Sequence, residues 1–356
     1  MDILNQFRIE GKMVSAEPFG NGHINDTLKV TDEAGEIKYV LQRINHHIFT
    51  NVDMLQNNIH TVTSHIRRKL EQKGETDIDR KVLTFVPTKD GKQYYFDGDS
   101  YWRVCLFIPR SRSFEEVTPE LSYEAGKAFG DFQSMLADLP EGALGETIPN
   151  FHNMEFRLKQ FQDALAANAA GRLDEVKDLV EEIEKRAAAM CIQEDLYREG
   201  KLKKRTNHCD TKVNNIMFDE SGKVLCVIDL DTVMPGFVLS DIGDFIRTGA
   251  NTGAEDDENL DNVNVNMEIF KAYTRGYMET AQSFLSPLEI KMLPYGGRLL
   301  TYMQTVRFLT DYINGDTYYK IHSPKHNLQR TKAQFKLLQS LEAHAAEMDS
   351  FMQEWL

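Results

Sequence analysis

The N-terminal third of the chain alternates between short apolar runs and glycine-containing turns. Residues 37–44 (IKYVLQRI) form an aliphatic, β-branched run of strand length, and residues 16–30 predict two strands around the turn GNGHIND. In residues 52–70, apolar side chains recur every three or four positions, which is the spacing of one helix face. Candidate strands at 81–86 and 101–108 follow. This order of strands, helix and strands predicts a small β-rich lobe over residues 1–109.

After residue 110 the apolar spacing becomes mostly helical. Thr118 is suited to an N-cap with Pro119 at the first helical position, which predicts a helix to residue 136. The sequence Ser286-Pro287-Leu288-Glu289 has the pattern of a capping box and starts another helix. Further helices are predicted at 154–170, 173–198 and 330–356, with one β-rich insertion at 205–233. We therefore expect an α+β protein whose second lobe, residues 110–356, is larger and mostly helical.

Charge and cysteine content narrow the possible partners. The 356 residues carry 41 basic and 55 acidic side chains, a formal net charge of −14. Nucleic acids and anionic membranes require a basic surface, so neither is expected as a main partner. The four cysteines lie far apart, and no stretch has the length and apolarity of a signal peptide or membrane span. We expect a soluble cytoplasmic protein, monomeric or weakly homo-oligomeric, that acts on small molecules.

The chemistry concentrates in the β-rich insertion. His208, Asp210 and Asn215 fit the pattern H-x-D-x-x-x-x-N, and a predicted β-hairpin then leads to Asp229 and Asp231. Phosphoryl transfer requires a carboxylate near the attacking hydroxyl and oxygen ligands that hold Mg²⁺ against the phosphates. An acidic hairpin without metal is the plain alternative, but a loop, hairpin and terminal carboxylates in this order favour kinase chemistry.

Each polar residue of this segment has an expected role. Asp210 is the candidate base, while Asn215 and Asp229 are candidate Mg²⁺ ligands. Asp231 is either a second ligand or a residue that supports the ligands. Lys212 is placed to reach the γ-phosphate of ATP, and His208 is expected to brace the loop.

Two acidic residues follow in the stretch SDIGDFIR. Asp241 and Asp244 could cap a helix. The functional alternative is that Asp241 braces the catalytic loop and that Asp244 lines the acceptor site.

Two N-terminal segments are candidates for nucleotide binding. The turn that contains Gly20, Asn21, Gly22 and Asn25 can direct backbone N–H groups at phosphate oxygens. The segment RVCLFIP leads into the helical lobe, and we expect its residues 107–108 (Phe107 and Ile108) to offer backbone groups to adenine.

These motifs resemble the aminoglycoside phosphotransferase and choline kinase-like superfamily, and most closely its bacterial N-acetylhexosamine 1-kinases. The resemblance extends nearly from end to end and is carried by PFGNGHIND (18–26), WRVCLFI (102–108), HCDTKVNNIMFD (208–219), VIDLDTVMPG (227–236), DIGDFIR (241–247) and RFLTDYINGDTYY (307–319). It implies a bilobal protein kinase-like (aminoglycoside phosphotransferase-like) fold. It also implies Mg²⁺-dependent transfer of the ATP γ-phosphate to the anomeric hydroxyl of N-acetylglucosamine or N-acetylgalactosamine. By this resemblance His23, Arg307 and Tyr318 contact the sugar, together with Asp210 and Asp244.

The chain departs from the general kinase pattern in its third strand. Kinases carry there a lysine that pairs with the nucleotide phosphates and with a helical glutamate. Gln42 stands at the matching position and is expected to contribute to nucleotide binding there, and the helix that follows has His60 where the glutamate is expected. Two alternatives to a sugar kinase stay open. One is a kinase for another hydroxyl acceptor, such as an amino alcohol, homoserine or an aminoglycoside. The other, suggested by the missing lysine–glutamate pair, is a nucleotide-binding protein without catalysis.

Overall fold

The computed structural model of the protein describes residues 2–20 and 24–356. The strands are β1 (Met13–Pro18), β2 (Asp26–Asp32), β3 (Ile37–Ile44), β4 (Phe85–Val86), β5 (Tyr95–Phe96), β6 (Tyr101–Leu106), β7 (Ser111–Arg112), β8 (Arg205–Asn207), β9 (Ile216–Asp219), β10 (Val224–Val227) and β11 (Met234–Gly236). The helices are α1 (Val52–Gln72), α2 (Ile78–Lys81), α3 (Pro119–Leu136), α4 (Met154–Ala167), α5 (Lys177–Met190), α6 (Ile192–Arg198), α7 (Val238–Gly249), α8 (Met267–Ala281), α9 (Pro287–Asn314), α10 (His326–Ala343) and α11 (Ala345–Phe351). The predicted α+β class, with a β-rich N-terminal region and a helical C-terminal region, is confirmed. No helix in the described part of the chain has the length and apolar character needed to cross a membrane.

The chain divides into two compact units. The first comprises residues 1–114, 132–149 and 214–235, and the second comprises 115–131, 150–213 and 236–356. The predicted lobe of residues 1–109 falls within the first unit, which also takes in two later segments. The boundary at residue 110 itself stays a prediction.

The first unit is built on an antiparallel sheet in the order β1-β2-β3-β6-β4, with β5 also paired to β6. Leu41 and Val104 lie opposite each other on β3 and β6 and belong to one apolar core. Gln42 and Arg103 form the next pair and therefore face the other side of the sheet. A second core forms around α1, whose buried face includes Leu55, Ile59 and Val62.

The second unit contains most of the helices, and α7 packs closely against α9. A Cβ atom on Gly243 would lie 2.2 Å from the backbone oxygen of Gly296, so this approach requires glycine. The two helix starts predicted from capping signals are confirmed. Thr118 Oγ1 accepts from Leu121 N, and Ser286 and Glu289 form the complete capping box.

Three predicted elements differ in the structure. Residues 173–198 are not one helix, because the N–H of Cys191 bonds to Ala188 O and this tighter turn separates α5 from α6. The C-terminal helix similarly breaks at His344, between α10 and α11. The strand predicted at 81–86 is confined to Phe85–Val86, because Lys81 still belongs to helix α2.

Candidate active site

The loop that contains Asp210 is held by the carboxylate of Asp241. The backbone N–H groups of His208 and Cys209 donate to its two oxygens, each at 2.8 Å. Cys209 has a φ of 63°, an uncommon conformation for a residue with a side chain. Thr211 Oγ1 adds a third bond, to Asp241 O at 2.5 Å. The prediction that Asp241 braces this loop is confirmed.

Asp244 lies one helical turn further along α7, and both of its carboxylate oxygens accept hydrogen bonds. One oxygen accepts from Thr211 N at 3.0 Å and the other from Arg247 Nη2 at 3.0 Å. Helix α7 has Phe237 as its N-cap, so neither acidic residue caps it. The role of Asp244 toward an acceptor stays a prediction.

Asp210 and Lys212 form an ion pair on the same loop. Lys212 Nζ lies 2.9 Å from Asp210 Oδ1, and both side chains are partly exposed, at 43% and 25%. Burial lowers the pKa of Lys212, but the charges of Asp210 and Asp244 outweigh it and hold that pKa above its usual value. The lysine therefore stays positively charged beside the candidate base.

The β9–β10 hairpin brings Asn215 and Asp229 to adjacent backbone positions. Ile216 pairs with Val227, and the N–H of Ile228 donates to Asn215 O at 2.9 Å. Asp229, the next residue, is exposed and has a φ of 59°. An amide oxygen and a carboxylate are ligands that suit Mg²⁺, which takes its remaining ligands from phosphates and water. Within residues 2–20 and 24–356, no three His, Cys, Asp or Glu side chains form a metal-binding cluster.

The carboxylate of Asp231 accepts hydrogen bonds from two other side chains. Arg103 Nη1 and Nη2 donate to its two oxygens at 2.6 and 2.9 Å, and Asn25 Nδ2 donates at 2.5 Å. Both charged side chains are only 4% exposed. Burial lowers the pKa of Arg103, but the charge of Asp231 and its hydrogen bonds outweigh that effect and raise it overall. Gln42 Oε1 completes the group by accepting from Arg103 Nε at 2.9 Å.

The candidate nucleotide residues are only partly described. Gly20 has a φ of 78°, as a glycine turn requires, whereas Asn21, Gly22 and His23 lie outside the described residues. Phe107 N donates to Lys38 O at 2.9 Å, and Ile108 O accepts from Ser111 Oγ at 2.6 Å. The ring of Phe107 meets that of Phe19 edge-on, with centroids 6.0 Å apart.

Arg307 lies among three aromatic rings in the second unit. Its guanidinium carbon is 5.5 Å from the Phe151 ring, 5.9 Å from Tyr318 and 5.6 Å from Tyr319. The two predicted sugar contacts Arg307 and Tyr318 are thus neighbours, and Tyr318 is 64% exposed. Gln304 Oε1 accepts from Arg307 Nη1 at 3.2 Å.

His152 lies beside this aromatic cluster. Its ring stacks on Phe151 at 4.4 Å, and its buried Nδ1 has no hydrogen-bond partner among the described residues. Burial lowers its pKa to about 3, helped by the positive charges of Arg307, Arg157 and Arg247 and opposed by Asp210. The imidazole is therefore neutral at physiological pH, and these charged groups all lie close enough to act on it.

Sequence reasoning missed the residue that shapes the loop of Tyr318. The buried carboxylate of Asp311 accepts the backbone N–H groups of Thr317, Tyr318 and Tyr319 at 2.9, 2.9 and 3.0 Å. Asn327 Nδ2 donates to the same carboxylate at 2.9 Å. The available signal was an acidic residue inside an apolar helix face, three residues before the Asn-Gly-Asp turn.

Arg103 and His152 were missed as well. Arg103 is a charged residue in the apolar strand WRVCLF, and its alternation with Trp102 and Val104 places it on the same face as Gln42. The pairing of Arg103 with Gln42 depends on the register between β3 and β6, which a single sequence does not fix. His152 carries no pattern of its own.

The family model described as "Phosphotransferase enzyme family" (APH) matches residues 15–275, well over half of the chain. The chain therefore belongs to the phosphotransferase enzyme family.

Solved structures give the same fold at low identity. An aminoglycoside phosphotransferase from Alicyclobacillus acidocaldarius subsp. acidocaldarius DSM 446 matches with a TM-score of 0.58 and 12% identity, over 99% of this chain and 94% of that one. Spectinomycin phosphotransferase APH(9)-Ia, in complex with ADP and spectinomycin, matches with a TM-score of 0.56 and 13% identity, over 95% and 94%. ADP-bound aminoglycoside phosphotransferase APH(2'')-Ib matches with a TM-score of 0.51 and 11% identity, over 93% and 95%. The predicted aminoglycoside phosphotransferase-like fold is confirmed.

Proposed function

We propose that this protein transfers the γ-phosphate of ATP to the anomeric hydroxyl of an N-acetylhexosamine, N-acetylglucosamine or N-acetylgalactosamine. One observation carries the proposal: the candidate base Asp210 forms an ion pair with Lys212 on a loop held by Asp241, in a chain of the phosphotransferase family. Arg307 and Tyr318, the two candidate sugar contacts, are neighbours in the same unit as this loop. The end-to-end sequence resemblance to N-acetylhexosamine 1-kinases supports the choice of acceptor.

The proposed chemistry assigns one task to each group. Asp210 accepts the proton of the attacking hydroxyl, and Lys212 moves from this carboxylate toward the γ-phosphate as charge develops there. Asn215 and Asp229 would hold Mg²⁺, which would supply positive charge against the phosphate oxygens. Of the two roles open to Asp231, support of the ligand loop suits its contacts with Arg103 and Asn25.

Nucleotide binding is assigned to the first unit. Similar proteins have been solved with ADP or AMP, which supports ATP as the phosphate donor. The turn at Gly20 to Asn25 would contact the phosphates. Because Phe107 N and Ile108 O already have protein partners, Phe107 C=O and Ile108 N–H are the groups assigned to adenine.

The three arginines around His152 favour an uncharged acceptor. After burial, the positive charges of Arg307, Arg157 and Arg247 also lower the pKa of His152. Burial, and after it the charge of Arg307, lowers the pKa of Arg157 to about 10. A cationic amino alcohol or aminoglycoside would meet this positive charge unfavourably. The hydroxyl and acetamide oxygens of a sugar can instead accept hydrogen bonds from guanidinium groups.

A panel of acceptors tests the proposal. The protein with Mg²⁺ and ATP is incubated with N-acetylglucosamine, N-acetylgalactosamine, glucosamine, ethanolamine, homoserine and an aminoglycoside, and the products are followed by phosphorus NMR. We expect a sugar 1-phosphate signal from the N-acetylated sugars only. A phosphate ester from a cationic acceptor alone would replace the proposed substrate class.

The Asp210→Asn variant is the matched control for chemistry. It should abolish turnover while it leaves Mg–ATP binding mostly intact, because the base contacts the acceptor rather than the nucleotide. Near-normal turnover would remove Asp210 from its role. Nucleotide binding without turnover of any acceptor by the unmodified protein would favour a non-catalytic function.

A further inference from the structure

The first unit contains a buried arginine whose N–H groups face protein rather than solvent. Arg103 lies opposite Gln42 in the β3–β6 register, and its Nε donates to Gln42 Oε1 at 2.9 Å. Its two terminal nitrogens donate side by side to Asp231, at 2.6 and 2.9 Å. Such a bidentate pair fixes the orientation of both side chains as well as their distance.

Asp231 carries this contact to Asn25, the residue before β2, which donates from Nδ2 to Asp231 Oδ2 at 2.5 Å. The Oδ1 atom of Asn25 accepts from Asn45 N at 2.9 Å, so its amide is held at both ends. One network therefore joins β6, Asn25 and the short helix Leu230–Thr232 that follows Asp229.

This network lies where kinases of the general pattern have a different ion pair. There the third strand supplies a lysine and a helix supplies a glutamate. Here β3 supplies Gln42, the cation comes from the neighbouring strand, and the carboxylate comes from the loop after Asp229. Since the hydrogen-bonding edges of Arg103 are directed at Gln42 and Asp231, it cannot act on phosphates as a strand lysine does.

We propose that Arg103 is a positioning residue that replaces the strand lysine–helix glutamate pair: by holding Asp231, it fixes the segment that follows Asp229 beside Asn25. Its effect on the nucleotide is indirect and depends on the metal. Removal of a residue that orients a metal ligand typically lowers metal affinity by about 10–100-fold. The inference rests on the proposed role of Asp229 as a Mg²⁺ ligand.

Calorimetric titration of ADP, with Mg²⁺ and with EDTA, tests this directly and needs no acceptor. The measured quantity is the gain in ADP affinity that Mg²⁺ provides. The variants are Arg103→Met, Asp231→Asn, the apolar double variant Arg103→Met/Asp231→Leu, and Asp229→Asn as the reference for loss of a ligand. The double variant removes both charges together, which buried ion pairs often tolerate without loss of stability. Thermal melting of each variant reports folding separately.

We expect Arg103→Met to lose about 10–100-fold of the Mg²⁺-dependent gain, while ADP affinity in EDTA changes little. The double variant should melt close to the unmodified protein and still lack the gain. A double variant with both normal melting and a normal gain would show that the pair is not needed for the metal site and overturn the inference. A folded Asp231→Asn variant that loses the gain while Arg103→Met keeps it would make Asp231 a direct ligand and also overturn it.

The Asp229→Asn reference separates this inference from the proposed function. If that variant keeps the full gain, the proposed metal role of Asp229 fails. If it loses the gain and the Arg103 variants do not, only the positioning role of Arg103 fails.

Discussion

The carboxylate of Asp241 accepts the backbone N–H of His208 at 2.8 Å, although the two residues belong to different elements of the second unit. Its other oxygen takes the N–H of Cys209. The bond pair fixes the peptide units immediately before Asp210, including one in a left-handed conformation. The direction of the candidate base is therefore set by a residue that need not touch any substrate.

Replacing Asp241 with Asn should reduce both stability and turnover. The amide offers one acceptor oxygen in place of two and presents an NH₂ group to a backbone donor. We expect a loss of about 2 kcal/mol in the free energy of unfolding, measured with urea, because hydrogen bonds to a charged group contribute about 1.5–3 kcal/mol. The kcat value should fall by about 10²-fold, as small misplacements of reacting groups cause. Asp219→Asn is the control, because this residue at the end of β9 also accepts backbone N–H groups, and equal effects in both variants would contradict the assignment.

The ion pair between Lys212 and Asp210 predicts a kinetic rather than a structural effect. Because Lys212 is 43% exposed, Lys212→Met should change the free energy of unfolding by less than about 1 kcal/mol. The same variant should lower kcat by roughly 10–100-fold, since the positive charge for the γ-phosphate is lost. Lys159→Met removes a more exposed ion pair on α4 and should leave kcat unchanged. Unchanged kcat in Lys212→Met would exclude a role in transfer.

The lowered pKa of His152 predicts how stability depends on pH. In the unfolded chain, His152 has its ordinary pKa of 6.5 and binds a proton below about that pH. In the folded protein, burial and the neighbouring arginines lower this pKa, so the ring stays neutral down to about pH 3. The contribution of His152 is thus complete above pH 6.5 and is lost on acidification, with a slope of up to about 1.4 kcal/mol per pH unit. His152→Gln should flatten the stability curve between these values. Parallel curves for the variant and the unmodified protein would refute the prediction, and His47→Gln, at an exposed position, controls for loss of a histidine.

The contact between α7 and α9 predicts a steric effect. Gly243→Ala places a methyl group 2.2 Å from the backbone oxygen of Gly296, so the helices must separate. Overpacking of this kind costs about 1–3 kcal/mol, and we expect a lower melting temperature and reduced turnover because α7 carries Asp241. Gly222→Ala is the contrasting variant: it has open space but a φ of 84°, and should cost about 1 kcal/mol without an effect on turnover. A Gly243→Ala protein as stable as the parent would show that the helices can adjust.

The sequence sufficed for features that depend on neighbouring residues. Strand β3 was predicted with its observed bounds, and the helix starts at Thr118 and Ser286 followed from capping chemistry. The loop containing Asp210 was found because its spacing is local, and the role of Asp241 was named as one of two possibilities. The breaks at Cys191 and His344 were missed because no proline or glycine marks them.

The order of the elements, the family and the candidate chemistry at 208–231 follow from the sequence alone, since short segments carry all of them. The fold was needed to show which distant side chains meet: Arg103 with Asp231, and Asp311 with Asn327. These contacts depend on strand register and on helix packing, and both are set by the burial of whole apolar faces rather than by any local pattern.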